Sequence, residues 1–179
     1  MLSSSYMSSI KIMHSIMFET RPNVEARDTL SPALEKLADE AVDFTRTEDE
    51  THGALAGIVR QNFDGQGTFA GGWPSLSPGY AQRKQKLYGD KPILQASGAL
   101  VDSLTRRDAP GAVFRVSRDE VNYGSALPHA RAHQRGVPSR NLPARPVIPS
   151  PEVFAAAVLR VQRGDAIKLA KGLGFGVET

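Results

Sequence analysis

The sequence predicts an α+β fold, a small and mainly antiparallel β-sheet packed against long α-helices. Three observations predict it. Apolar residues spaced three and four apart mark helices within 30–63 and again at 152–163. Two-residue alternation marks strands near 10–18 and 112–123. Between them lie a long Gly/Pro loop at 64–79 and a Pro/Arg-rich arm at 128–151, neither of which keeps a regular period.

The elements follow in chain order. Residues 2–9 are serine-rich and are expected to fray, so 1–9 reads as a flexible N-terminus. Ile10, Ile12, Ile16 and Phe18 share one side of an alternation with Lys11 opposite, which predicts a half-buried strand. Ser31-Pro32 opens a helix, because serine caps and proline suits a first turn. Leu30, Leu34, Leu37, Ala41 and Phe44 form its expected core stripe. Glu48-Asp49-Glu50 is either a loop or the acidic first turn of a second helix, which Leu55, Ile58, Val59 and Phe63 continue. Gly65, Gly67, Gly71 and Gly72 then surround Trp73 in a loop of the kind that is mobile or functional.

Ser77-Pro78 restarts a short helix through Tyr80 and Leu87, and Ser97 reads as the cap of another carrying Leu100 and Leu104. Ala112, Phe114 and Val116 lead through a turn at Arg118-Asp119 to Val121 and Tyr123, a hairpin. A further strand is expected near 140–149, where prolines favour extended chain. The last helix should end at Gly164, leaving 164–179 as a flexible tail and 10–163 as a single domain.

The 179 residues are 40% hydrophobic and 23% charged, ordinary for one globular domain and unlike collagen or a disordered chain. Cysteine is absent, which excludes disulfides, thiolate metal sites and cysteine nucleophiles. No apolar run reaches the ~20 residues of a membrane span, so no membrane partner is expected. The start lacks a secretory pattern, and Met7, Met13 and Met17 are further candidate starts. Charge is unevenly divided. Residues 1–79 hold 6 Lys/Arg against 11 Asp/Glu, whereas residues 80–145 hold 12 against 5. That division suggests complementarity between copies or a basic surface for an acidic partner.

Nothing assembles into a catalytic set. No Gly-x-Ser-x-Gly elbow and no phosphate-binding Gly-x-x-x-x-Gly-Lys-Ser/Thr loop occurs. His129 and His133 would share a helix face as metal ligands sometimes do, but no third ligand suggests itself. His52 beside Asp49 and Glu50 reads as a pH sensor or as part of a plain polar face. No catalytic residue, metal or cofactor is therefore expected. The basic 80–145 segment carries few aromatics, which disfavours a base-stacking platform but leaves non-specific DNA contact open.

Three stretches in order complete the reading. The first is Trp73-Pro74-Ser75-Leu76-Ser77-Pro78-Gly79-Tyr80-Ala81, followed by Lys84. The second is Lys91-Pro92-Ile93-Leu94, then Ser97-Gly98-Ala99-Leu100-Val101-Asp102-Ser103-Leu104. The third is His133-Gln134-Arg135-Gly136, then Asn141-Leu142-Pro143-Ala144-Arg145-Pro146. Together they resemble the phage virion morphogenesis, or tail-completion, family, the Mu G-like group. Arg135 stands where that family commonly has an aromatic, and Val147-Ile148 replaces a frequent phenylalanine–leucine pair.

The resemblance implies a structural virion protein at the head–tail junction, made in the host cytoplasm and working in the neck or at tail completion. It implies a ring of identical copies, a hexamer, docked between the head connector and the tail. The expected neighbours are neck, connector, tail-terminator or tail-tube proteins, with non-specific contact to DNA in the lumen. A tail terminator capping the tube is the nearest alternative, and a DNA-binding accessory protein the alternative of another class. Trp73, Pro74, Tyr80, Lys84, His133, Gln134, Arg140 and Arg145 are the candidate interface residues. On this reading the Trp73 loop and the Pro-rich strap project as docking arms. His133-Gln134-x-Gly136 forms a tight turn, and Arg145 presents its guanidinium to a carboxylate.

Overall fold

The computed structural model describes residues 6–11 and 30–175. A three-stranded antiparallel sheet is built from β1 (Tyr6–Lys11), β2 (Ala112–Val116) and β3 (Glu120–Ser125), in the order β1-β3-β2. The β2–β3 hairpin is the one the alternation predicts, with Phe114 opposite Tyr123 and Val116 opposite Val121. Ser117 N–H donates to Glu120 C=O at 2.9 Å and closes the turn. β1 pairs along the other edge of β3, from Tyr6 opposite Ser125 to Lys11 opposite Glu120. The first strand therefore lies earlier than the expected 10–18. Residues 6–9 belong to it, and 12–18 fall outside the described residues. A ladder is made by main-chain groups, so serines can complete it where β3 needs a second partner.

Six α-helices lie among the described residues: α1 (Leu30–Ala41), α2 (Glu48–Asp64), α3 (Pro78–Tyr88), α4 (Ala99–Thr105), α5 (Pro128–Arg135) and α6 (Pro151–Gly172). Glu48, Asp49 and Glu50 do form the first turn of α2, where negative charge suits the helix dipole. The core joins Leu55, Val59 and Phe63 of α2 to Leu100 and Leu104 of α4, Val121 and Tyr123 of β3, and Phe154 and Val158 of α6. Tyr123 sits 5.3 Å from the Phe154 ring, and its hydroxyl donates to Leu104 C=O. The sheet is thus covered by α4 and α6, with α2 packed on both.

Helix α1 packs on α6 instead of on the sheet. Its inner face is Ala33, Leu37 and Ala41, while Leu34 is 46% exposed, so the expected stripe is rotated. The rotation follows from Phe44, which leaves the helix for a 3-10 turn and is buried there. Asp43 caps that turn by accepting from Thr45 N–H at 2.9 Å. Arg46 ties the turn to Glu40 of α1 and Asp165 of α6, each at 3.1 Å.

Two further expectations change. The helix at 152–163 does not stop at Gly164 but continues to Gly172. A glycine inside a helix costs only about 1 kcal/mol, and burial of Gln162 and Ala170 on either side carries the helix through. No strand forms at 140–149. Val137 and Leu142 make one isolated bridge around a 3-10 turn at Pro138–Arg140. Pro143, Pro146 and Pro149 have no N–H to give a ladder.

Candidate functional site

The three sequence motifs converge. Trp73 lies buried against Phe63, rings edge to face at 5.2 Å, and its indole N–H donates to Pro146 C=O at 2.9 Å. Asn62 Nδ2, buried on α2, donates to the same carbonyl at 3.0 Å. From the other side Arg145 reaches back: Nε donates to Pro74 C=O at 2.9 Å and Nη2 to Ser75 C=O at 3.0 Å. The Trp73 loop and the Pro-rich strap therefore do not project as arms. They clasp each other, and Arg145, 4% exposed, presents its guanidinium to backbone carbonyls of its own chain. A guanidinium suits this, since its planar fork serves two acceptors at once.

Gln134 performs the task a neighbouring strand would. Its Oε1 accepts from Val147 N–H at 2.9 Å and Ile148 N–H at 3.0 Å, and its Nε2 donates to Ile148 C=O at 2.9 Å. Buried backbone polar groups need partners, and one amide side chain supplies three bonds to a strap too rich in proline for pairing. The expected tight turn at His133-Gln134 is instead the last turn of α5, begun by Pro128 at its first position. Gly136 ends it with φ +72°, and a Cβ there would fall 2.7 Å from Ala144 N. Gly67 is constrained in the same way: φ is +93°, and a Cβ would meet Trp73 Cδ1 at 2.4 Å.

Beside the clasp lies a cleft of about 360 Å³ drawn from all three motifs. Tyr80 and Lys84 come from α3, Leu94, Ser97 and Leu100 from the second motif, and His133, Leu142 and Arg145 from the third. His129 lines it as well, 6.1 Å from His133 ring to ring. Burial, helped by His129 and Arg145, holds the His133 imidazole below its ordinary pKa. Burial likewise lowers the Arg145 guanidinium.

A model of the phage virion morphogenesis family matches residues 26–166. The chain belongs to that family. Its role is structural, in assembly of the phage virion. No curated protein and no solved structure matches the sequence. Among the described residues of this virion morphogenesis protein, no helix is long and apolar enough to cross a membrane.

The eight candidate interface residues of this family member divide by place. Trp73, Lys84 and Arg145 are buried, His133 is half-buried in the cleft wall, and Gln134 is spent on the strap. Pro74, Tyr80 and Arg140 are exposed, with the Arg83 guanidinium 5.6 Å above the Tyr80 ring. Sequence reasoning missed Asn62, although a lone polar residue amid Leu55, Val59 and Phe63 was a signal. It also missed Tyr88, which extends Leu87 into an apolar pair on an otherwise polar helix. His52 is half-buried, edge-on to Phe114 at 4.9 Å, and burial with Arg107 and Arg60 lowers its pKa.

The division of charge is in part satisfied inside one chain. Arg107 pairs with Glu48 at 3.3 Å and Asp49 at 2.9 Å, and Arg118 pairs with Asp39. These bonds bring the basic segment onto the acidic helices of the same copy.

Proposed function

We propose that this protein is a component of the head–tail junction of a tailed bacteriophage, acting as a ring of identical copies docked between head connector and tail. The observation that carries this reading is helix α3. Its single buried side chain is Lys84, whose ammonium donates to Lys91 C=O. The rest of α3 faces outward, with Leu87 67% exposed and Tyr80 and Tyr88 about half exposed. An isolated helix of 11 residues is marginal in water, and large exposed apolar groups on one mark a contact surface.

A counterpart exists on the same chain. Leu34 and Val42 of the α1 region are 46% and 44% exposed, with exposed Ala38 between them and Glu35 and Asp39 alongside. Leu34 to Val42 spans ~12 Å of helix, and Tyr80 to Leu87 spans ~11 Å. Arg83 and Lys86 flank the α3 row, and acids flank the α1 row. Docking α3 of one copy onto α1 of the next is a head-to-tail contact, the type that closes into rings.

The contact is apolar at its centre and charged only at its rim, so added salt weakens it modestly instead of abolishing it. Light scattering on the full chain should give a multiple of the protomer mass, and Leu87→Asp should give the protomer. Particles assembled without the protein should show filled heads and finished tails left unjoined. Joined particles in its absence would overturn the junction role.

A further inference from the structure

The cleft beside the clasp has an uncommon charge balance. Lys84 is 7% exposed and Arg145 4%, yet among the described residues no carboxylate lines the cleft and no ion pair includes either. Their hydrogen-bond partners among the described residues are backbone carbonyls. Buried charges are ordinarily paired with opposite ones. His133 adds a second sign: it lines the same cleft, and its Nδ1 is buried with no partner among the described residues. Leu94, Leu100 and Leu142 supply apolar wall next to these groups. Leu94 holds that place at φ +62°, a left-handed conformation costly for leucine.

We propose that this cleft receives an acidic peptide segment of a neighbouring virion protein. One carboxylate enters among Lys84, His133 and Arg145, and an adjoining aliphatic side chain lies against Leu94, Leu100 and Leu142. A carboxylate supplies the missing negative charge and an acceptor for each donor. The mixed apolar and cationic lining fits a peptide better than a nucleic-acid strand, which asks for an open track of Lys/Arg along its phosphates. Tyr80 borders both the cleft and the α3 contact row, but Leu87 lies outside the cleft, so Leu87→Asp breaks the α3–α1 contact and leaves the cleft to be tested by itself.

The test is a titration of the full chain followed by the NMR signals of the His133 and His129 rings. The probes are acetyl-Leu-Glu-Leu-amide, its Gln counterpart and an oligothymidylate. The Glu peptide is expected to shift both rings saturably and to raise the His133 pKa. The Gln peptide should bind about tenfold more weakly, the loss of one charge-assisted bond. Lys84→Met should show the same tenfold loss for the Glu peptide. His129→Asp, at an exposed position tolerant of change, sets a like charge at the mouth and should weaken it at least as much. No saturable shift, equal binding of the Gln peptide, or indifference to His129→Asp would overturn the proposal. Tighter binding of the oligothymidylate to the same rings would overturn it in favour of a phosphate backbone.

Discussion

Trp73 and Tyr80 stand seven residues apart in one motif, yet the first is sealed under a strap and the second sits half in water. The clasp around Trp73 turns its donors and acceptors inward: indole on Pro146, guanidinium on Pro74 and Ser75, amide on Val147 and Ile148. Helix α3 does the reverse and keeps one lysine inside while turning Leu87 and Tyr88 out. The difference teaches that a motif shared by a family need not be a contact. Here one end anchors the loop so that the other can be held out as a rigid helix.

Substitutions can break this comparison on the clasp side first. Trp73→Ala removes a buried ring and its bond to Pro146, and should cost about 4 kcal/mol in urea unfolding. A loss under about 1 kcal/mol would mean that the loop is not anchored there. Gln134→Leu strands two buried N–H groups of the strap and should cost about 2 kcal/mol. Amide exchange would report it locally, as faster exchange at Val147 and Ile148 than in the core of α2.

Acid should loosen the clasp side through His133 and the hairpin side through His52. Burial lowers the folded-state pKa of His133 and of His52 beneath the unfolded value of about 6.5. Their contribution to stability is therefore intact above pH 6.5 and lost as pH falls through the folded values. Unfolding midpoints measured from pH 7.5 to pH 5 should decline, and His133→Gln with His52→Gln should flatten the decline. An unchanged slope in that double variant would assign the loss to the carboxylates.

On the α3 side the expected stability change is the smallest. Leu87→Asp alters an exposed position and should move unfolding by no more than about 0.5 kcal/mol, while oligomer mass falls to the protomer. A large loss of stability would show that Leu87 packs within its own chain.

The sequence made α2 and the hairpin legible because each has a clear period and one apolar face, whereas α5, short and polar, was read as part of the extended arm. Leu55, Val59 and Phe63 on α2 and Phe114 and Val116 on β2 needed no distant partner to be read. The clasp was legible as residues but not as geometry. Nothing local tells Arg145 that its acceptors are the carbonyls of Pro74 and Ser75, about seventy residues away. Carbonyls carry no sequence signature, so a carboxylate partner looked the better match. Gln134 is the same case: an amide replacing a strand is invisible until the proline-rich strap lies beside it. Leu34 misled for a different reason. Its spacing from Leu30 and Leu37 fits a stripe, but the helix turns on Ala33, Leu37 and Ala41.

Disulfide trapping between α3 and the α1 region tests the central claim most directly, because the natural chain contains no cysteine. Leu87→Cys and Val42→Cys, made in separate chains and mixed, should cross-link to each other under mild oxidation, since a docked pair brings their backbones within disulfide reach. The chain carrying both should form a ladder that stops at a closed ring. Leu159→Cys on α6, equally exposed but off the proposed contact, should stay uncoupled from either. Linkage only between like positions, or coupling to Leu159→Cys as readily as to Val42→Cys, would contradict the docking of α3 on the next copy.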